Sequence, residues 1–191
     1  LGALERINKA GITKLAAIHR GFSSFEKGPF RNAPMWDLAI ELKTRVPELD
    51  IICDPSHIAG NRDLISFISQ KALDMDMAGL MIESHINPDA AWSDAKQQVT
   101  PAVLAKIIDE LVVRKPSTDN KTFKDTLSIL REQIDQLDDE IMSKLAARMK
   151  ISEKIGQYKK ENNVTILQVS RWEEIVQTRI ALCKAMGLNE E

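Results

Sequence analysis

The chain is short of what several protein classes require. Its 191 residues include two cysteines, Cys53 and Cys183, which lie far apart in segments of different kinds. A disulfide framework is therefore not expected, and a reducing cytoplasm is the expected setting. Neither charge dominates, with 26 Lys and Arg against 28 Asp and Glu. No basic stripe suggests nucleic acid as a partner, and none suggests a membrane surface. No apolar run approaches the ~20 residues of a membrane helix. The opening residues, LGALERINKAG, read as the end of an amphipathic helix rather than a signal peptide. The first residue is Leu1, not Met, so the N-terminus is expected to be a cut. There is no internal repeat and no low-complexity tract.

What is present falls into two halves with different periods. Residues 1 to about 115 alternate short apolar runs with helical patterns. The runs are TKLAAIH (13–19), DIICDPSH (50–57) and GLMIESH (79–85). Each is continuous rather than alternating, as in strands of a parallel sheet buried on both faces. Helical stretches lie between and after them, roughly Pro34–Val46, Asn61–Leu73 and Thr100–Val113. Repeated βα units place this half in the α/β class. PSTDNKT (116–122) is polar, begins with proline and reads as a linker.

The residues after the linker, 123–191, read as all-helical. From Phe123 to Glu161 there is no proline, and Gly156 is the only glycine. Leu127, Leu130, Ile134, Leu137, Ile141, Leu145 and Ile155 keep a three-four spacing, which predicts one long amphipathic helix. A second helix is expected from about Val169 to Ala185, stopped near Gly187. About 39 residues at ~1.5 Å rise span roughly 58 Å, more than one short helix can cover. The apolar seam therefore calls for a partner helix, most simply from a second copy in a homodimer.

The three histidines, His19, His57 and His85, all fall at carboxyl ends of predicted strands, where βα loops converge in (β/α) barrels. Neighbouring strands lie ~4.8 Å apart, so His57 and Glu83 can meet if their strands are adjacent, and Asp94 can fold back over them. One imidazole with two carboxylates suits a divalent cation of the Mn, Fe, Co or Zn class. The same residues also allow His57 simply to cap a helix or to bond a neighbour. Cys53 reads as a small core residue. Arg20, at the rim after His19, suits a phosphate or carboxylate. Arg31 and Arg62 read first as ordinary surface cations, although with Lys96 they would also suit an anionic substrate. In the helical half, Arg148 and Lys159 point along the apolar seam, seven and eighteen residues after Ile141. A buried unpaired cation is costly, so a bound anion accounts for both. Stems that snorkel to water account for them too.

HRGF, FRNAPMW, CDPSHIAGNRDL, GLMIESH and SDAKQQVTP together resemble the C-terminal part of a 3-deoxy-D-arabino-heptulosonate-7-phosphate (DAHP) synthase. The form is the smaller-subunit type, related to 3-deoxyoctulosonate-8-phosphate synthases. LREQIDQLDDEIMSKLAARMKISEKIGQYKK with ILQVSRWEEI resembles an all-helical chorismate mutase. The order resembles a bifunctional synthase–mutase of the shikimate pathway, which leads to the aromatic amino acids.

On the barrel side, the resemblance implies the last three βα units of a (β/α)8 (TIM) barrel. It implies a divalent metal held by His57, Glu83 and Asp94, and a phosphoenolpyruvate phosphate held by Arg20. In that family the metal polarises the aldehyde of erythrose 4-phosphate for attack by phosphoenolpyruvate. A metal-binding cysteine from an early strand and a Lys-Pro-Arg loop belong to the family pattern and are not found here. The 191 residues alone are thus expected neither to close a barrel nor to make DAHP.

On the mutase side, chorismate is a dianion whose rearrangement to prephenate needs only a charged, shape-selective pocket. The resemblance implies that Arg131, Arg148 and Lys159 hold its carboxylates and ether oxygen, with Arg148 and Lys159 carrying the catalysis. It implies that Arg171 is a further active-site arginine and that Arg131 reaches across from the partner chain. Gln168 stands where many such mutases have an acidic residue, and Trp172 where a glutamate commonly follows the arginine. The third helix of the mutase pattern is not found, so mutase activity is expected to be weak or absent. Two alternatives stay open. The helical half could be a prephenate-sensing or dimerising module, or the barrel could make 3-deoxyoctulosonate 8-phosphate.

Overall fold

The computed structural model describes residues 2–25 and 28–188. The chain divides into two units, Leu1–Ser117 and Thr118–Glu191.

The first unit is α/β. After a short exposed helix, α1 (Gly2–Lys9), come β1 (Ala16–His19), α2 (Trp36–Arg45) and β2 (Asp50–Cys53). Then follow α3 (Pro55–Ala59), a 3-10 turn at Arg62–Leu64, α4 (Ile65–Asp74), β3 (Gly79–Leu80) and α5 (Pro101–Glu110). The strands form one parallel sheet in the order β1-β2-β3. Ile18 pairs with Ile52, and His19 with Cys53, which in turn pairs with Leu80.

Helix starts are written locally. Asp54 caps α3, accepting from His57 N–H at 3.0 Å, with Pro55 at the first helical position. Thr100 caps α5 with Pro101 after it. Proline is suited there because its missing N–H is an orphan at that position in any case.

Alternation along the strands divides the sheet into two unlike faces. Ile51 and Cys53 point to the face covered by helices, where Ala39, Ile58, Ile65, Ile68, Ala72 and Ile107 complete a buried core. The other face carries Ile18, which is 52 % exposed, and half-buried Ile52. The expectation of burial on both faces is thus met on one face only among the described residues. The reason is that the crossover helices all lie against the same side. Strand lengths also differ from the apolar runs. β2 ends at Cys53, so His57 lies inside α3 rather than at a strand terminus. β3 is two residues long, and the chain regains pairing only where Ser84 bridges Val99. The Asp-Pro pair ends β2 because it starts a helix.

The second unit holds α6 (Lys121–Glu161), capped by Asn120, and α7 (Val169–Ala185). Neither helix has a fully buried residue, and the α6 seam is open, with Leu137 58 % and Ile141 52 % exposed.

Candidate active sites

In the first unit the three predicted ligands meet. One donor atom from each of His57, Glu83 and Asp94 lies within 4.8 Å of the other two. The elements that bring them together are distinct. α3 carries His57. The irregular run after β3 carries Glu83, whose backbone N–H donates to Ser56 Oγ at 3.0 Å and whose C=O accepts from Val99 at 3.1 Å. Asp94 sits in the loop before α5 at φ 51°, a left-handed conformation that aspartate tolerates better than most residues. Gln97 N–H closes that turn on Asp94 C=O at 3.0 Å.

The imidazole is oriented by its own helix cap. Asp54, 1 % exposed, uses Oδ1 for the cap and Oδ2 for His57 Nδ1 at 2.6 Å. An ionised carboxylate only accepts, so Nδ1 carries the proton and Nε2 keeps its lone pair. Nε2 faces Glu83 Oε1 at 3.9 Å, too long for a hydrogen bond. A bare imidazole nitrogen beside two carboxylate oxygens is a donor set for a first-row divalent ion, and an outer carboxylate on the other ring nitrogen is the usual support.

The carboxylates are tethered as well. Arg31 Nη1 donates to Asp94 Oδ1 at 2.5 Å and to Gln97 Oε1 at 2.6 Å, and Gln97 Nε2 donates to Glu83 Oε2 at 2.8 Å. The Arg31 hydrogen bond holds the Asp94 carboxyl below the usual carboxylate range. Desolvation opposes the shift, and the positive charges of Arg31 and Arg20 add to it. Arg20 is thus within electrostatic reach of Asp94.

Other predicted groups are elsewhere or differently employed. His19 is buried against Trp36 and Phe22, with ring centroids 5.1 and 6.0 Å away, and desolvation lowers its pKa. His85 Nδ1 accepts from Asn87 N–H at 3.0 Å. Arg31 is not an ordinary surface cation, because its guanidinium is committed to the site. Arg62 is not one either, since it clamps the loop through Gln98 C=O, Asp89 and Ala95 C=O at 2.6–2.7 Å. Cys53 is 0 % exposed on the core face, and burial, with Asp54 beside it, pushes its thiol up to about 12.

Asp54, Ser56, Gln97 and Arg31 are the supports that sequence reading missed. The Asp-Pro-Ser-His run did carry a signal, since a cap residue three positions before a histidine reaches its backbone N–H. Nothing local marks Gln97.

In the second unit, Arg148, Lys159, Gln168 and Arg171 line one open groove of about 1180 Å³ between α6 and α7. Lys144 and Arg179 join them, and no Asp or Glu is among the lining residues. Lys159 Nζ donates to Ile166 C=O at 2.8 Å, and Arg171 pairs with Glu174 at 2.7 Å. Gln168 occupies the cap position of α7 without a side-chain cap bond. Arg131 is not in this groove; it lies seventeen residues before Arg148 on α6, about 26 Å along the axis.

Comparison with known proteins agrees with this division. Residues 1–117 match the family model of the DAHP synthetase I family, and the chain belongs to that family. Residues 130–191 match chorismate mutase type II. The chain thus joins a DAHP synthetase I family segment to a segment that matches the chorismate mutase type II model, a transferase family followed by an isomerase family.

Phospho-2-dehydro-3-deoxyheptonate aldolase of Thermotoga maritima is 31% identical over 107 residues, covering 56% of this chain and 31% of that protein. A truncated 3-deoxy-D-arabino-heptulosonate 7-phosphate synthase from Thermotoga maritima, a solved structure, is 33% identical with TM-score 0.51, over 56% of this chain and 40% of that one. A crystal structure of the Thermotoga maritima aldolase is also 33% identical, with TM-score 0.50, over 55% of this chain and 30% of the other. The chain therefore spans about a third of the length of the relatives it matches. These matches do not favour the octulosonate-synthase or sensor-module alternatives. No helix among the described residues is long and apolar enough to cross a membrane.

Proposed function

We propose that the first unit is the metal-holding wall of a DAHP synthase barrel, acting on phosphoenolpyruvate and erythrose 4-phosphate. The observation that carries this reading is the convergence of His57, Glu83 and Asp94 donor atoms within 4.8 Å. His57 through Nε2 and one oxygen from each carboxylate would hold a divalent ion of the Mn, Fe, Co or Zn class. When bound, that ion supplies Lewis-acid polarisation of the aldehyde carbonyl. Asp54 fixes the imidazole tautomer, and Arg20 at the rim binds a phosphate group. The half-covered sheet fits the same reading, with Ile18 and Ile52 facing the barrel interior, where side chains from further strands would meet them.

The groove of the second unit is the proposed site for chorismate. Five cationic side chains and no carboxylate line it, which suits a dianion whose rearrangement requires positioning and charge stabilisation. Arg148 and Lys159 face the substrate, with Arg171 and Gln168 at the α7 end. Arg131 would serve a second groove in a homodimer formed along the open α6 seam. The same proposal places the protein in the cytoplasm, where such metabolites are handled.

Titration of the metal-free chain with Mn²⁺, followed by free-ion EPR, tests the first site. Saturable binding that His57→Ala and Glu83→Gln both abolish is expected. Binding that survives His57→Ala would overturn the metal assignment.

A further inference from the structure

We infer that Arg31 and Gln97 are positioning residues that preset both metal-binding carboxylates through one shared hydrogen-bond chain. The inference rests on the metal-site reading above. Arg31 Nη1 holds Asp94 Oδ1 and Gln97 Oε1, while Gln97 Nε2 holds Glu83 Oε2. Each carboxylate is thus tethered by one oxygen and keeps the other for an ion. On Glu83 the second oxygen is Oε1, the one facing His57 Nε2 at 3.9 Å. Gln97, at 1 % exposure, is a buried amide with its carbonyl and its N–H₂ both used, so its orientation is fixed by the guanidinium on one side and Glu83 on the other.

The guanidinium is in turn placed by the helix that carries His57. Arg31 N–H donates to Ile58 C=O at 3.0 Å, and Asn32 Nδ2 donates to His57 C=O at 2.9 Å. These bonds satisfy carbonyls at the end of α3, a place where helices leave acceptors unpaired. The contact is close because residue 60 is glycine. It sits at φ 68°, and a Cβ there would lie 2.4 Å from Arg31 Cβ. One rigid connection therefore runs from α3 through Arg31 to both acids, and all three donors move as a set. Outer-shell partners of this kind are worth about 10–100-fold in metal affinity.

Mn²⁺ affinity, read by free-ion EPR on the full chain, tests this with Arg31→Met, Gln97→Met, the double variant and His57→Ala. Circular dichroism and a melt in metal-free buffer confirm that each variant folds. Arg31→Lys, which keeps the charge but cannot bridge two acceptors in the same geometry, supplies a milder probe should Arg31→Met fold poorly. Both single variants are expected to bind about 10–100-fold more weakly. The double variant is expected to lose less than the product of the two, because the pair acts through one chain. Arg31 variants that bind within twofold of the parent, or more tightly, overturn the inference, since Arg31 would then be idle or a competitor for Asp94. Fully multiplicative losses also overturn it. If His57→Ala leaves Mn²⁺ binding intact, the metal-site reading falls as well. If His57→Ala abolishes binding while Arg31 and Gln97 variants do not weaken it, only the positioning role falls.

Discussion

Asp54 has two separable duties, and a pair of substitutions divides them. Its Oδ1 caps α3, and its Oδ2 holds His57 Nδ1 at 2.6 Å. Asp54→Ala removes both. Loss of the cap costs about 1 kcal/mol, and a buried imidazole N–H left without its acceptor costs about 1–3 kcal/mol more. A destabilisation of about 2–4 kcal/mol is therefore expected in urea unfolding of the metal-free chain. Asp54→Asn keeps the cap, because asparagine is as good a cap residue as aspartate. Its amide N–H₂ would instead donate to Nδ1, which moves the imidazole proton to Nε2 and removes the lone pair facing Glu83. Stability should then change little, while Mn²⁺ affinity falls about 10–100-fold, equal to about 1.4–2.7 kcal/mol of binding free energy. Calorimetric titration with Mn²⁺ beside urea unfolding reads both quantities. Unchanged Mn²⁺ affinity in Asp54→Asn would refute the tautomer argument. A loss within about 0.5 kcal/mol for Asp54→Ala, the range of an ordinary surface change, would refute the capping argument.

Gly60→Ala forces a left-handed alanine against the Arg31 stem, so a loss of about 1–3 kcal/mol is expected, and a melting temperature equal to the parent's would contradict it. Cys53 makes the fold sensitive to alkali. Its thiol is raised from 9.0 to about 12, so the folded state keeps a proton that the unfolded chain releases. Its contribution is complete below about pH 9 and declines by about 1.4 kcal/mol per pH unit until about pH 12. Unfolding measured across that window should lose this extra slope in Cys53→Ala, and an identical slope in both proteins counts against it. In the α6–α7 groove, replacing Arg148 or Lys159 by alanine should weaken chorismate binding about tenfold or more per cation, and an unaltered calorimetric titration would remove the groove from consideration. The proposed homodimer along the open α6 seam predicts that the parent sediments as a dimer and Leu137→Glu as a monomer, and a monomeric parent or an unchanged mass would refute that seam as the subunit contact.

Much of this molecule is decided within short windows of chain. Asp54-Pro55 and Thr100-Pro101 start helices because a side-chain acceptor and a missing N–H satisfy local needs. The α6 seam follows from three-four spacing alone, and its apolar side chains stand exposed. That His57, Glu83 and Asp94 could meet was legible on the condition that their strands were neighbours, and the pairing of β2 with β3 meets that condition.

What the sequence could not state is which neighbour each charge would find. Arg31 read as a surface cation because its partners, Asp94 and Gln97, are more than sixty residues away. Gln97 has no local mark at all; burial alone turned its amide into a bridge. Likewise the apolar strands could not say that only one sheet face would be covered, because that depends on where the crossover helices lie. Capping and periodicity are short-range interactions that a window of residues contains. The tethering of the acids and the one-sided core are long-range contacts, which exist only once the chain has closed on itself.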